Sequence, residues 1–223
     1  WAHHVGQGLV TTPSDFGLRA ERPSHPELLD WLSNWFMKEG WSLKKLHRLI
    51  LTSNTYRQSS FVISDSESHQ KAQLLDPENR LLWRMNRHRL NFEEFRDSLL
   101  LTSGQLDLTL KGKPDNIFAA PYPNRRTLYG QIDRQYLPST LRIFDFANPD
   151  LHIPKRSETT VPQQSLFLLN HPLVLEQVQS LVKDISTDQP EAFVNQLFQR
   201  AFQRNPDSRE LAEAIRFMKT ADI

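Results

Sequence analysis

The chain has 223 residues, with 27 Lys and Arg against 26 Asp and Glu, and no cysteine. A net charge of +1 is too balanced to imply nucleic-acid binding from charge alone. Lack of cysteine excludes disulfides, thiolate zinc sites, iron–sulfur ligation and a cysteine nucleophile, and no apolar run approaches the roughly 18 residues of a membrane span.

The first stretch, WAHHVGQGLV, has no methionine and reads as a piece of a longer protein. His3 and His4 raise the question of a metal. Adjacent residues of an extended segment point to opposite faces, so both rarely ligate one ion. A third ligand would have to come from His25, His47 or an acid. Packing or hydrogen bonding is the preferred reading, and no metal site is expected.

SHPELLDWLSNWFMKEGW predicts a helix, with Ser24 and Glu27 spaced as a capping box and Pro26 in the first turn. Leu28, Trp31, Leu32, Trp35 and Phe36 share one face, which places Trp31 and Trp35 in the core and leaves Trp41 and Trp83 freer. Gly40 stops this helix and Ser42 starts SLKKLHRLILTS, so the two should form an antiparallel hairpin. Residues 59–73 are polar and serine-rich, which suggests an exposed loop. DPENRLLWRM reads as a turn entering a short helix or strand. Asn91 with Glu94 caps NFEEFRDSLLLTSG, which ends near Gly104.

Residues 105–124 form a long irregular segment, a type that is often functional inside compact domains. RRTLYGQI suggests a short strand and LPSTLRIFDF a short helix. Thr160 with Gln163 resembles another capping box, and the helices that follow should break near His171-Pro172. Asp188 and Glu191 cap PEAFVNQLFQRAF, and Asn205-Pro206 opens PDSRELAEAIRFMK. The expected fold class is mainly α: helix hairpins with few or no short strands, in one domain over 1–223, with 160–223 as a C-terminal helical subregion.

The densest chemistry is in NRLLWRMNRHRLNFEEFRDS. Arg80, Arg84 and Arg87 lie at i, i+4, i+7, and His88, Arg89 and Arg96 follow. Guanidinium forks suit bidentate binding of carboxylate, sulfate or phosphate, so Arg84, Arg87, His88, Arg89, Arg96 and Arg126 are the candidate ligand-binding residues. The competing reading is internal pairing with Glu93, Glu94 and Asp97. RSETTVPQQ offers a helix N-terminus that suits an anion, although capping explains Thr160 and Gln163 as well. Asp145 and Asp150 in FDFANPD are either an acid–base pair or turn caps.

Six blocks in register, HHVGQGLVTTPSDFG, HPELLDWLSNWFMKEGWSLKKLHRLILTSNTYRQSS, DPENRLLWRMNRHRLNFEEFRDSLL, SGQLDLTLKGKP, FDFANPD and RSETTVPQQSLFLLNHP, resemble one family. It is the uncharacterised C-terminal domain, PSD type and of unknown function, of planctomycete-type secreted proteins that often also carry a cytochrome c domain. Val5 stands where that family's WxHHFGxGLV pattern has phenylalanine. The resemblance implies export to the periplasm or cell surface and the C-terminal part of a longer polypeptide. It implies a preceding domain as partner, with a cytochrome c domain or a polysaccharide as further candidates. No CxxCH occurs here, so haem c would sit in another domain and no cofactor is expected in this one. The family carries no established active site. Two functions remain: a non-catalytic helper or binding module, and a polysaccharide-acting enzyme domain that holds an anionic sugar through its arginines.

Overall fold

The structure, a computed structural model, describes residues 1–61, 66–187 and 189–220. It is 47% helical, and its described residues form ten α-helices and one 3-10 turn but no strand. The expected mainly α class is therefore what the chain adopts. Backbone contacts divide it into two compact units, residues 1–89 and 90–223.

The first unit contains α1 (Ala2–Val5), α2 (Pro26–Lys38), α3 (Leu43–Leu51) and α4 (Glu67–Leu75). Val5, Leu9, Ile50 and Leu82 are its buried apolar residues. α2 starts at Pro26 with His25 as an N-cap that makes no side-chain cap bond, so the expected Ser24–Glu27 box does not form. Ser24 Oγ instead donates to Leu9 O and meets His25 Nδ1 at 2.9 Å. Gly40, at φ +72, reverses the chain while Trp41 N donates to Phe36 O at 2.9 Å. This is the glycine stop that the sequence suggests. Ser42 caps α3 through Lys45 N.

Two expectations fail here. α2 has no buried residue, and Trp31 is 51% exposed, stacked on Trp35 at 6.4 Å. The helical period gave the face correctly but not what covers it. The polar 59–73 segment contains α4, nucleated by Ser66, whose side chain accepts from His69 N.

In the second unit, α5 (Phe92–Thr102) carries the full Asn91–Glu94 capping box. α6 (Ser139–Ile143), α7 (Pro162–Asn170), α8 (Pro172–Lys183), α9 (Pro190–Phe202) and α10 (Ser208–Thr220) follow. Phe92, Ile117 and Leu141 centre the core, with Phe118, Leu137, Phe144, Phe146 and Phe167 packed around them. α5 packs on α8, where Ser103 Oγ donates to Gln177 Oε1 at 2.6 Å in a buried pair. α7 also packs on α8 and α9 on α10.

RRTLYGQI is not a strand. Thr127–Tyr129 forms the 3-10 turn, and only isolated bridges, Asp107 with Arg125 and Asp115 with Gly130, tie this region together. The break at His171-Pro172 is as expected: His171 ends α7 and caps α8 through Leu173 N. No full box precedes α7: the N-cap is Val161, which has no side-chain acceptor, and only the return half forms, with Val161 N donating to Gln164 Oε1. Asp188 lies outside the described residues, and Gln189 is the N-cap of α9. At α10 the cap is Asp207, which accepts from Glu210 N while Glu210 accepts from Asp207 N.

Candidate functional site

Residues 76–89 are not helical, so the i, i+4, i+7 arginine face does not exist. Asn79 and Leu82 take positive φ, +56 and +59, a backbone state that no run of helix tolerates. In place of a helix, the segment is a turn built around one side chain. Asn79 is 1% exposed. Its amide donates to Arg84 O at 2.7 Å and to Asn86 Oδ1 at 2.9 Å, and its carbonyl accepts from Arg84 N at 3.2 Å. Asn86 in turn donates to Val5 O at 2.9 Å. Asp76 accepts from Arg80 N and Leu81 N, and Trp83 Nε1 donates to Asp76 O at 2.9 Å. The backbone of Arg84 and the ring of Trp83 are thus both fixed before any ligand arrives.

On this frame the arginines separate. Arg80 pairs with Glu21 at 3.2 Å. The half-buried Arg84 guanidinium lies 5.1 Å over the Trp83 ring, and the exposed Arg87 guanidinium lies 4.6 Å over Phe61. Neither has a carboxylate within ion-pair distance among the described residues. Met85 N donates to Ser59 O at 3.1 Å, which lays the 84–87 segment beside the one that carries Phe61. His88 and Arg89 are exposed and each makes an interaction of its own.

The second unit holds Arg96 and Arg126, and both are engaged. Arg96 is 0% exposed. Its guanidinium donates to Pro123 O, to Arg125 O at 2.9 Å and to Thr127 Oγ1 at 3.2 Å, while its Nε has no partner. Burial holds its pKa below the usual arginine value, opposed by Asp97 and Asp115. Arg126 pairs with Asp97 at 3.1 Å, and Asp97 also accepts from Thr127 N at 2.6 Å. Arg125, at 4.0 Å over Tyr129, donates to Lys113 O and Asp115. Glu93 takes both forks of Arg156, which also lies over Phe146 at 4.6 Å. The acids near Arg96 are thus neutralised, but by arginines 29 to 63 residues further along. A reading confined to one helical turn could not find those partners.

Asp145 and Asp150 do not form an acid–base pair with each other. Asp145, at φ +56, accepts from Thr159 N and Oγ1, and Asp150 meets Arg134 at 3.2 Å. His3 is exposed, whereas His4 Nε2 meets His47 Nδ1 at 2.9 Å. His4 Nδ1 is buried with no partner. A proton there would go unbonded, so Nε2 carries it and donates to His47. A metal-ligating imidazole normally gives its second N–H to an acceptor, and here that place is taken by nothing. Among the described residues, no group of three His, Asp or Glu is placed to hold a metal. A hollow in this unit, beside Arg80 and Leu82, has about 10 Å³ of room, on the order of one water.

The profile of PSD1, a protein family of unknown function (DUF1553), matches residues 1–218. The chain belongs to this family. No curated protein and no solved structure matches it. Of the described helices, none is long and apolar enough to cross a membrane.

Proposed function

We propose that this PSD1 chain is a non-catalytic helper or binding module of an exported, planctomycete-type, cytochrome c-associated polypeptide, and that its first unit docks a neighbouring domain of that polypeptide. The observation that carries this is α2. It is a 13-residue amphipathic helix with no buried residue. Trp31, Trp41 at 66% exposure and Leu43 at 62% are exposed along α2, its glycine stop and the start of α3. Exposed apolar surface is a mark of interaction sites, and aromatic residues are enriched where proteins meet. Haem c belongs, in this reading, to another domain.

The test uses the lack of cysteine in residues 1–223, with the labelling of the unsubstituted longer polypeptide as the baseline. Leu43→Cys in the longer polypeptide should react more slowly with a maleimide than the same substitution in residues 1–223. Lys71→Cys, on α4, should react alike in both. Equal rates at Leu43→Cys would refute the docking. The alternative, a polysaccharide-acting enzyme domain, draws support from Arg84 and Arg87 alone, and that support concerns binding rather than bond cleavage.

A further inference from the structure

We infer that the Arg84–Arg87 turn is an oxyanion-binding site for the carboxylate or sulfate groups of an acidic polysaccharide. The inference does not depend on docking through α2.

The argument starts from an electrostatic oddity. A guanidinium removed from bulk water is normally paired or fully hydrogen-bonded. Arg84 is half-buried, yet its side chain makes no hydrogen bond and no ion pair with any described residue. Its guanidinium lies over the Trp83 ring, and its N–H donors are not spent on any described residue. A guanidinium's planar fork of donors is what carboxylate and sulfate oxygens accept in bidentate fashion. Arg87 over Phe61 repeats the arrangement three residues on.

The site is also built. Asn79 grips both backbone groups of Arg84, and Trp83 is anchored through its indole N–H. The backbone share of the ordering entropy is then already lost before binding. Two such forks on one short segment suit a ligand with repeated acidic groups. Phe61, 66% exposed beside Arg87, offers apolar surface to a sugar ring. The first unit has 12 Lys and Arg against 9 Asp and Glu. That excess is modest for nucleic acid, which draws on many phosphate contacts at once, and suits a ligand with sparser charge.

The experiment is calorimetric titration of the chain at physiological ionic strength with four probes: oligosaccharides of polygalacturonate, dextran sulfate, neutral dextran and single-stranded DNA. Binding of one or both acidic probes, with none to dextran, is the expected result. The arm that binds separates carboxylate from sulfate. Arg84→Gln should weaken binding about tenfold or more, the scale of one charge-assisted hydrogen-bonded pair. Arg84→Lys keeps the charge but loses the fork, so it should also weaken binding. Lys44→Ala removes one charge from α3 and should leave affinity unchanged. Thermal unfolding checks that each variant folds, and if Arg84→Gln does not, Arg84→Lys and Arg87→Gln carry the test. Lack of binding to both acidic probes would overturn the inference. So would equal losses in Lys44→Ala and Arg84→Gln, or an Arg84→Lys as tight as the parent, since either means unspecific attraction. Tighter, Arg84-dependent binding of single-stranded DNA would also overturn it, by naming a different ligand.

Discussion

Two arginine-rich regions of this molecule put the same side chain to opposite uses. In residues 93–156 every guanidinium named above has a protein acceptor: Arg96 two carbonyls and the Thr127 hydroxyl, Arg126 Asp97, Arg156 Glu93, and Arg125 Asp115 with two loop carbonyls. In residues 76–89 the buried polar work is done by an asparagine, and Arg84 and Arg87 are left lying on aromatic rings. The difference teaches where to look for binding. An arginine whose donors are already spent on the backbone holds a loop together. One whose backbone is held by another residue has its donors to offer.

The sharpest way to break this comparison is Arg96→Met. The substitution keeps the apolar volume and leaves Pro123 O, Arg125 O and Thr127 Oγ1 without their donor. Each stranded buried group costs about 1–3 kcal/mol, so the loss should be about 3–5 kcal/mol. Urea unfolding measures it. A loss below about 1 kcal/mol would mean that the 105–130 segment stands without its central cation and that the contrast is false.

Asn79→Ala comes next. It removes three hydrogen bonds and places alanine at φ +56, a conformation that asparagine tolerates better. The expected loss is about 2–3 kcal/mol. Asn79→Asp, which keeps the acceptor for Arg84 N but loses both donors, should destabilise as well. If Asn79→Ala unfolds no more readily than the parent, Arg84 is not held in place and the first unit's half of the comparison fails.

Much of the fold was legible because its signals are local. The Asn91–Glu94 box, the Gly40 stop, the Ser42 cap and the His171-Pro172 break each need only a few neighbouring residues, and each formed. Errors fell where a distant partner decides. Arg80, Arg84 and Arg87 have helical spacing, but Asn79 reaching five residues forward to Arg84 makes a turn of the segment. Trp31 has core spacing, yet nothing in its unit buries it. Ser24 was claimed by Leu9, 15 residues back, rather than by its own helix. The site was half legible. Composition singled out NRLLWRMNRHRLNFEEFRDS as the candidate stretch, but only the three-dimensional pairings separate Arg84 and Arg87 from Arg96 and Arg126. One clue was available: an Asn inside DPENR, between Asp76 and Trp83, is a residue type that accepts positive φ.

The smallest expected effect is a difference in acid response between the two regions. His4 has its pKa lowered, first by burial and also by the nearby His47 and His3. A depressed histidine binds its proton more readily when unfolded. Stability is therefore unaffected by this group above its unfolded value of about 6.5 and falls as pH drops through that value toward the folded one. The geometry gives the cause: protonating His4 puts a proton on Nδ1, which is buried with no acceptor. His171, also lowered by burial and stacked on Phe167 at 4.2 Å, adds the same sign in the second unit. Glu210 works in another window. Its hydrogen bond from Arg204 leads the causes that lower it to about 2. What it contributes is present above the ordinary value of 4.5 and fades between 4.5 and about 2. Unfolding followed residue by residue by hydrogen exchange should then show α1 and α3 loosening as the pH falls below about 6.5, while the start of α10 loosens only below 4.5. His4→Gln should flatten the first response and leave the second intact. If His4→Gln leaves the pH slope of α1 unchanged, the imidazole pair is not what ties α1 to α3.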